Sequence, residues 1–213
     1  MVLLLILLSY LNLKRVVQKG IRFWASSVFI LIGRKLRIHG NENFDRKKKY
    51  ILIANHASLF DIMAIMSFFP GVSWFGRERL VKIPIFGQLL KSIDYIPMKN
   101  ANIRNTKEML NQMVQNSNGL TIAIFPEGTR TCDGKINDFY RGFIHVLKAS
   151  ELEILPVTLK GFYELKPKNR FHIKFNTKIN VVIHKPIEKK ELVEKNDKDI
   201  ISTVKEVIES AYY

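Results

Sequence analysis

His56 and Asp61 lie five positions apart, where the apolar run Tyr50–Ala54 (YILIA) gives way to a helical pattern. An imidazole oriented by a carboxylate is a general base: the carboxylate fixes the tautomer and stabilises the imidazolium that forms. The same two residues at a helix start also describe a cap and a hydrogen-bonded side chain, so the spacing alone leaves both readings open. Ser58, between them, lacks a nucleophile-elbow context and reads as a helix-start residue. A second apolar run, Leu120–Phe125 (LTIAIF), ends in Pro126-Glu127-Gly128-Thr129-Arg130. Here Gly128 lets backbone approach a ligand closely, Thr129 supplies a short hydroxyl and Arg130 the planar fork suited to phosphate. Glu127 is placed to hold a ligand hydroxyl or to orient the arginine. The plainer alternative is a salt-bridged turn.

Such groups need a scaffold that brings them together, and the surrounding pattern supplies one. Strands are expected at Tyr50–Ala54, Val72–Phe75, Tyr95–Met98, Leu120–Phe125 and Ile154–Leu159. Helices are expected at Leu59–Phe69, Leu80–Ile93, Ile103–Gln115 and Phe139–Ser150, and Arg170–Ile183 reads as one long strand or a hairpin. Glu188–Asp199 reads as a solvated linker leading to an amphipathic surface helix. Alternating strands and helices predict a single α/β domain with a mixed, largely parallel sheet flanked by helices. Ligands of such sheets bind beyond the carboxyl ends of the strands, where both chemical segments fall.

Composition narrows the partners. The 213 residues carry 34 Lys plus Arg against 19 Asp plus Glu, a formal charge of +15, and 47% are hydrophobic. One cysteine, Cys132, excludes an internal disulfide framework and reads as a bystander; His39, His145, His172 and His184 are scattered without metal-ligand spacing, so no metal is expected. Strong positive charge suits nucleic acid or an anionic membrane, and its location chooses. Residues 1–40 hold seven basic side chains and no acidic one, around two apolar stretches, Met1–Leu13 and Phe23–Gly33. Each is short for a bilayer span of roughly 20 residues. They read as a membrane-associated two-helix hairpin dipping into one leaflet, residues 1–33, with Trp24 at headgroup level. A pair of core helices is the alternative. Residues 34–213 would form the main domain, monotopic on the cytoplasmic side of the membrane by the cation bias. The aromatics Phe68, Phe69, Phe75 and Phe86 sit in apolar runs rather than between exposed cations, which argues against nucleic acid.

Together the two segments resemble the glycerolipid acyltransferases, specifically the bacterial 1-acyl-glycerol-3-phosphate (lysophosphatidate) acyltransferases. Asn55, His56 and Asp61 match an N-H-x-x-x-x-D block, and Phe125 through Arg130 match F-P-E-G-T-R without a change. Arg79-Leu80 with Pro84 and Gly87 is similar to the intervening segment, and Leu155-Pro156-Val157 to the late proline-centred block. The resemblance runs from about Ile38 to Leu159. One block departs: Ser92–Asn100 lacks the family's glycine, and its phosphate-binding arginine falls on Lys99 or Asn100, with Arg104 a more distant substitute. The resemblance implies acyl transfer from an acyl-carrier protein or coenzyme A thioester to a lysophospholipid hydroxyl, without cofactor or covalent intermediate. His56 and Asp61 would be catalytic, and Glu127, Gly128, Thr129, Arg130 and Lys99 would bind substrate. Rival expectations are another acceptor, such as a lyso-ornithine lipid, or a non-catalytic basic membrane-binding module.

Overall fold

Every side chain of Tyr50–Ala54 is buried, which a strand achieves only with both faces covered. This strand, β2, lies at the centre of the computed structural model, which describes residues 14–77, 81–83, 87, 90, 95–98 and 121–213. The other strands are β1 (Leu36–His39), β3 (Val72–Arg77), β4 (Ile96–Met98), β5 (Thr121–Ile124), β6 (Glu153–Lys160) and β7 (Ile179–Ile183). They form one sheet in the order β1-β7-β6-β2-β5-β3-β4. All neighbours are parallel except β6 and β7, so the sheet is mixed and largely parallel, as expected.

Helices cover both faces. They are α1 (Lys14–Leu31), α2 (Phe60–Phe68), α3 (Gly142–Ala149), the short turns α4 (Phe162–Leu165) and α5 (Lys189–Leu192), and α6 (Asp197–Tyr212). Alternation along β2 divides its side chains between two cores. Tyr50, Leu52 and Ala54 pack with α1 and α2, whereas Ile51 and Ile53 pack with α3 and α6. On the first side α1 contributes Val17, Ile21, Ala25 and Phe29, a stripe at helical spacing, and burial of a side chain such as Phe29 is worth about 1.5–3 kcal/mol. Helix α2 (FDIMAIMSF) is apolar almost all round and is correspondingly enclosed, with Ala64, Ile65, Met66 and Phe68 buried.

Lys14–Arg22, read as the elbow of a hairpin, lie within the continuous helix α1, because Val17, Ile21, Ala25 and Phe29 make one core-facing stripe across it. Met1–Leu13 lie outside the described residues, as do Ile103–Gln115 and most of Leu80–Ile93. No described helix is long and apolar enough to cross a membrane. Of Arg170–Ile183 only Ile179–Ile183 is a strand; the stretch before it is an irregular loop folded around its own side chains. The helix expected near the C-terminus starts at Asp197, capped by the Asn196 side chain, and its Ile200, Val204 and Ile208 are fully buried core. Strand β1 had no sequence signature: four residues, half of them polar, at a sheet edge show too short a pattern to read.

Candidate active site

β2 and β5 are adjacent and parallel, with Ile53 opposite Ile124, so the segments that follow them emerge side by side at one rim of the sheet. Asn55 fixes the first segment. Its side chain imitates a strand residue, donating from Nδ2 to the Leu159 carbonyl (3.0 Å) and accepting the Leu159 N–H (2.8 Å). The next residue, His56, therefore leaves the sheet at a defined place.

Asp61 sits in the first turn of α2 and folds back over the loop before it. Its Oδ2 accepts from His56 Nδ1 (2.9 Å) and from the backbone N–H groups of Ala57 (2.6 Å) and Ser58 (2.7 Å). With the carboxylate as acceptor, Nδ1 carries the proton and Nε2 keeps its lone pair. Asp61 is completely buried, whereas the His56 side chain retains 15% of its exposure. The imidazole also stacks on Phe125, with ring centroids 3.9 Å apart and planes 10° from parallel, and Phe125 in turn stacks with Trp74 at 5.5 Å. Carboxylate and aromatic together leave the ring little freedom, which is what a general base requires. Both readings of the pair hold at once: Asp61 caps backbone amides and orients the histidine. Ser58 donates its hydroxyl to the Lys166 carbonyl (2.7 Å) and is buried, so it is a structural tie.

The segment after β5 is bound to the first by the second buried carboxylate. Glu127 Oε1 accepts the His56 N–H (2.6 Å) and Oε2 the Asn137 N–H (2.9 Å). In return the His56 carbonyl accepts from Thr131 N–H (2.9 Å). Burial, with the charge of Asp61 adding to it, pushes the Glu127 carboxyl up to about 7, against the two backbone donors that favour its ionised form. Both its oxygens face the protein's own amides. Glu127, expected to touch ligand, is thus placed as a brace of the histidine loop. Gly128 has φ +66°, and a Cβ there would stand 3.4 Å from the Tyr140 ring, so glycine is required by conformation more than by space. Thr129 is exposed and Arg130 half-buried, and the Arg130 guanidinium has no acid or carbonyl partner among the described residues. It is available to an anion, and the next residue, Thr131, donates its N–H to the His56 carbonyl. Lys99 lies outside the described residues, with Asn100, Arg104, Arg79 and Pro84.

The structure adds residues that sequence reasoning did not put in the site. Phe125 was visible as part of the F-P-E-G-T-R block, but its stacking on His56 depends on two strands becoming neighbours. Asn137 meets Glu127 through its backbone N–H and leaves no signal in sequence. Leu155-Pro156-Val157 lies inside β6, opposite Leu52, Ile53 and Ala54, and supports the strand beneath the histidine.

One rim of a largely parallel α/β sheet thus carries a histidine–aspartate pair and an arginine that has no acid or carbonyl partner among the described residues. Residues 35–160 match the family described as Acyltransferase, so the chain belongs to that family. The 1-acyl-sn-glycerol-3-phosphate acyltransferase of Cocos nucifera is 32% identical over 149 residues, 68% of this chain and 47% of its own. That of Borreliella burgdorferi is 30% identical over 159 residues, covering 72% of this chain and 61% of its own. The chain spans about half the length of the plant relatives it matches. The crystal structure of the 1-acyl-sn-glycerophosphate (LPA) acyltransferase PlsC from Thermotoga maritima superimposes with a TM-score of 0.80 at 27% identity, over 96% of this chain and 84% of the other.

Proposed function

We propose that the protein transfers a fatty acyl chain from a thioester to the free hydroxyl of 1-acyl-glycerol-3-phosphate, giving phosphatidic acid for phospholipid synthesis. The observation that carries this is the oriented His56–Asp61 pair on the same rim as Arg130, which has no acid or carbonyl partner among the described residues. His56 Nε2 accepts the hydroxyl proton as the acceptor oxygen attacks the thioester carbonyl, and Asp61 stabilises the imidazolium. The new C–O bond forms, the C–S bond breaks, and the sulfur leaves with the electron pair and recovers a proton from the imidazolium. A thiol pKa near 8.5 makes the thiolate a good leaving group, so the step asks for no acyl-enzyme. Arg130 holds the acceptor phosphate in a bidentate grip, with Gly128 and Thr129 lining its approach and Lys99 adding a point charge. The thioester is that of an acyl-carrier protein or coenzyme A. The protein works as a monotopic enzyme at the cytoplasmic face of the membrane, held there by its basic, apolar N-terminal region.

Thiol release from an acyl thioester, measured across a panel of lyso-acceptors, tests this. Lysophosphatidate should support turnover, glycerol phosphate should compete with it, and lyso-ornithine lipid should not replace it. His56→Ala should lower kcat by about 10²- to 10⁴-fold with the fold intact. Arg130→Lys should raise the KM for lysophosphatidate by about tenfold, since the bidentate fork is lost. Near-normal turnover in His56→Ala would discard the general-base assignment.

A further inference from the structure

Between Glu164 and Glu188 the chain carries no acidic residue, and the loop it makes there is built to display side chains to solvent. Arg170 folds the loop by donating to the carbonyls of Glu164 and Leu165, and the Lys166 amine donates to the Arg170 carbonyl (2.8 Å). Ile173 packs against the core, and Lys174 N–H bonds to the Leu165 carbonyl (2.9 Å). Held in this way, Phe171 is 100% exposed and Phe175 59% exposed, beside the exposed Lys168, Lys174 and Lys178. Two bare phenylalanines among cations that have no acid partner among the described residues are costly in water and match an anionic lipid surface, where the rings enter the headgroup layer and the amines meet phosphate. Lysines elsewhere are different: Lys148, Lys189 and Lys205, around α3, α5 and α6, each pair with an acid at 2.7–3.0 Å.

Topology places this loop where it matters. β7 runs antiparallel to β6, with Asn180 opposite Lys160, so the start of β7 lies at the rim where β6 and β2 end and His56 begins. β1 runs parallel to β7 with Leu36 opposite Ile179, so α1 hands over to the sheet at that same rim. Arg34 Nη1 reaches the Thr177 carbonyl (3.5 Å), and the last residues of α1, Ile30 and Leu31, are 76% and 83% exposed. The Ser58 hydroxyl bond to Lys166 ties the loop directly to the catalytic segment.

The geometry points to residues 166–178, with the C-terminal end of α1, as a lipid-docking surface that lays the active-site rim against an anionic bilayer. It rests on the reading of the protein as an enzyme of membrane lipids, and it goes beyond the N-terminal region as the attachment. A bilayer seated there presents a lyso-acceptor to His56 without the lipid leaving the interface.

The test uses the full chain carrying Phe171→Trp and vesicles of phosphatidylcholine with or without phosphatidylglycerol. Relative to the parent, the tryptophan should shift to the blue and be quenched by brominated lipid when phosphatidylglycerol is present. Lys168→Gln with Lys174→Gln should weaken binding to those vesicles by about fivefold per lysine. Both variants should keep parental thiol release in detergent micelles, which reads out the enzymatic assignment separately. No lipid quenching at position 171, or unchanged vesicle affinity in the lysine variant, would overturn the docking surface whatever the micellar activity. An equal fluorescence response to soluble polyglutamate, without quenching by lipid, would assign the loop to an acidic protein and overturn it too.

Discussion

Two buried carboxylates hold one histidine, and they do so in different ways. Asp61, after β2, grips the ring: it orients Nδ1 and lies where the positive charge of the imidazolium appears. Glu127, after β5, grips the backbone of the same residue and never meets the ring. Asp61 collects its donors from its own loop, within five positions. Glu127 reaches 71 positions back to His56 and ten forward to Asn137. One carboxylate is local and electrostatic; the other is the clasp between two loops. The contrast teaches that identical groups in one site can hold a side chain or hold only the backbone beneath it.

Of the two carboxylates, Asp61 should show the larger effect, in Asp61→Asn. A neutral amide no longer stabilises the imidazolium and no longer dictates the tautomer, so kcat should fall about 10³- to 10⁴-fold. KM for the acceptor should change little, and steady-state kinetics on a variant with parental circular dichroism checks both. A loss under tenfold would erase the distinction between the two carboxylates.

Glu127→Gln should have a smaller consequence. The glutamine oxygen can still accept one backbone N–H, but its amide meets the other donor head on, which loosens the clasp. Displacement of the histidine loop by a fraction of an ångström should lower kcat by about 10- to 100-fold. Glu127→Asp, too short to span both amides, should not restore it. Should Glu127→Gln instead raise only the acceptor KM, the carboxylate would belong with substrate, as the sequence first suggested.

The smallest effect is on stability. A carboxyl held at about 7 when folded, against an ordinary value of 4.5, binds its proton more tightly in the native state. Its contribution is therefore present below the unfolded value and lost as pH rises from 4.5 through about 7. Urea denaturation at steps from pH 5 to 8 should show the parent losing stability across that window, and Glu127→Gln should flatten this part of the profile. An unchanged slope in the variant would mean that some other group carries the titration.

Much of this arrangement was legible before any coordinates. Two uninterrupted apolar runs, YILIA and TIAI, could only be buried strands, and each is followed at once by polar residues with chemical capacity. The local pair His56–Asp61 was legible for the same reason, since five positions across a helix start bring the groups into reach. What pointed wrongly was periodicity without context. FHIKF alternates like a strand, yet of its three apolar residues only Ile173 packs against the core, and the loop closes on Arg170 instead. The basic elbow expected at residues 14–22 lies inside the helix Lys14–Leu31, whose inner stripe completes the core, and the first arm of the hairpin, Met1–Leu13, lies outside the described residues.

The sequence by itself determined the central strands, the alternation with helices, the hydrogen-bonded His56–Asp61 pair and the placing of Arg130 just after a strand, because each depends on residue type and on neighbours within one turn. Tertiary structure decided what Glu127 does, what Phe125 stacks on, and which rim the 166–178 loop shares with His56. Those outcomes depend on strand order, with β5 and β6 flanking β2 and β7 returning antiparallel, and strand order is set by packing between segments far apart in the chain.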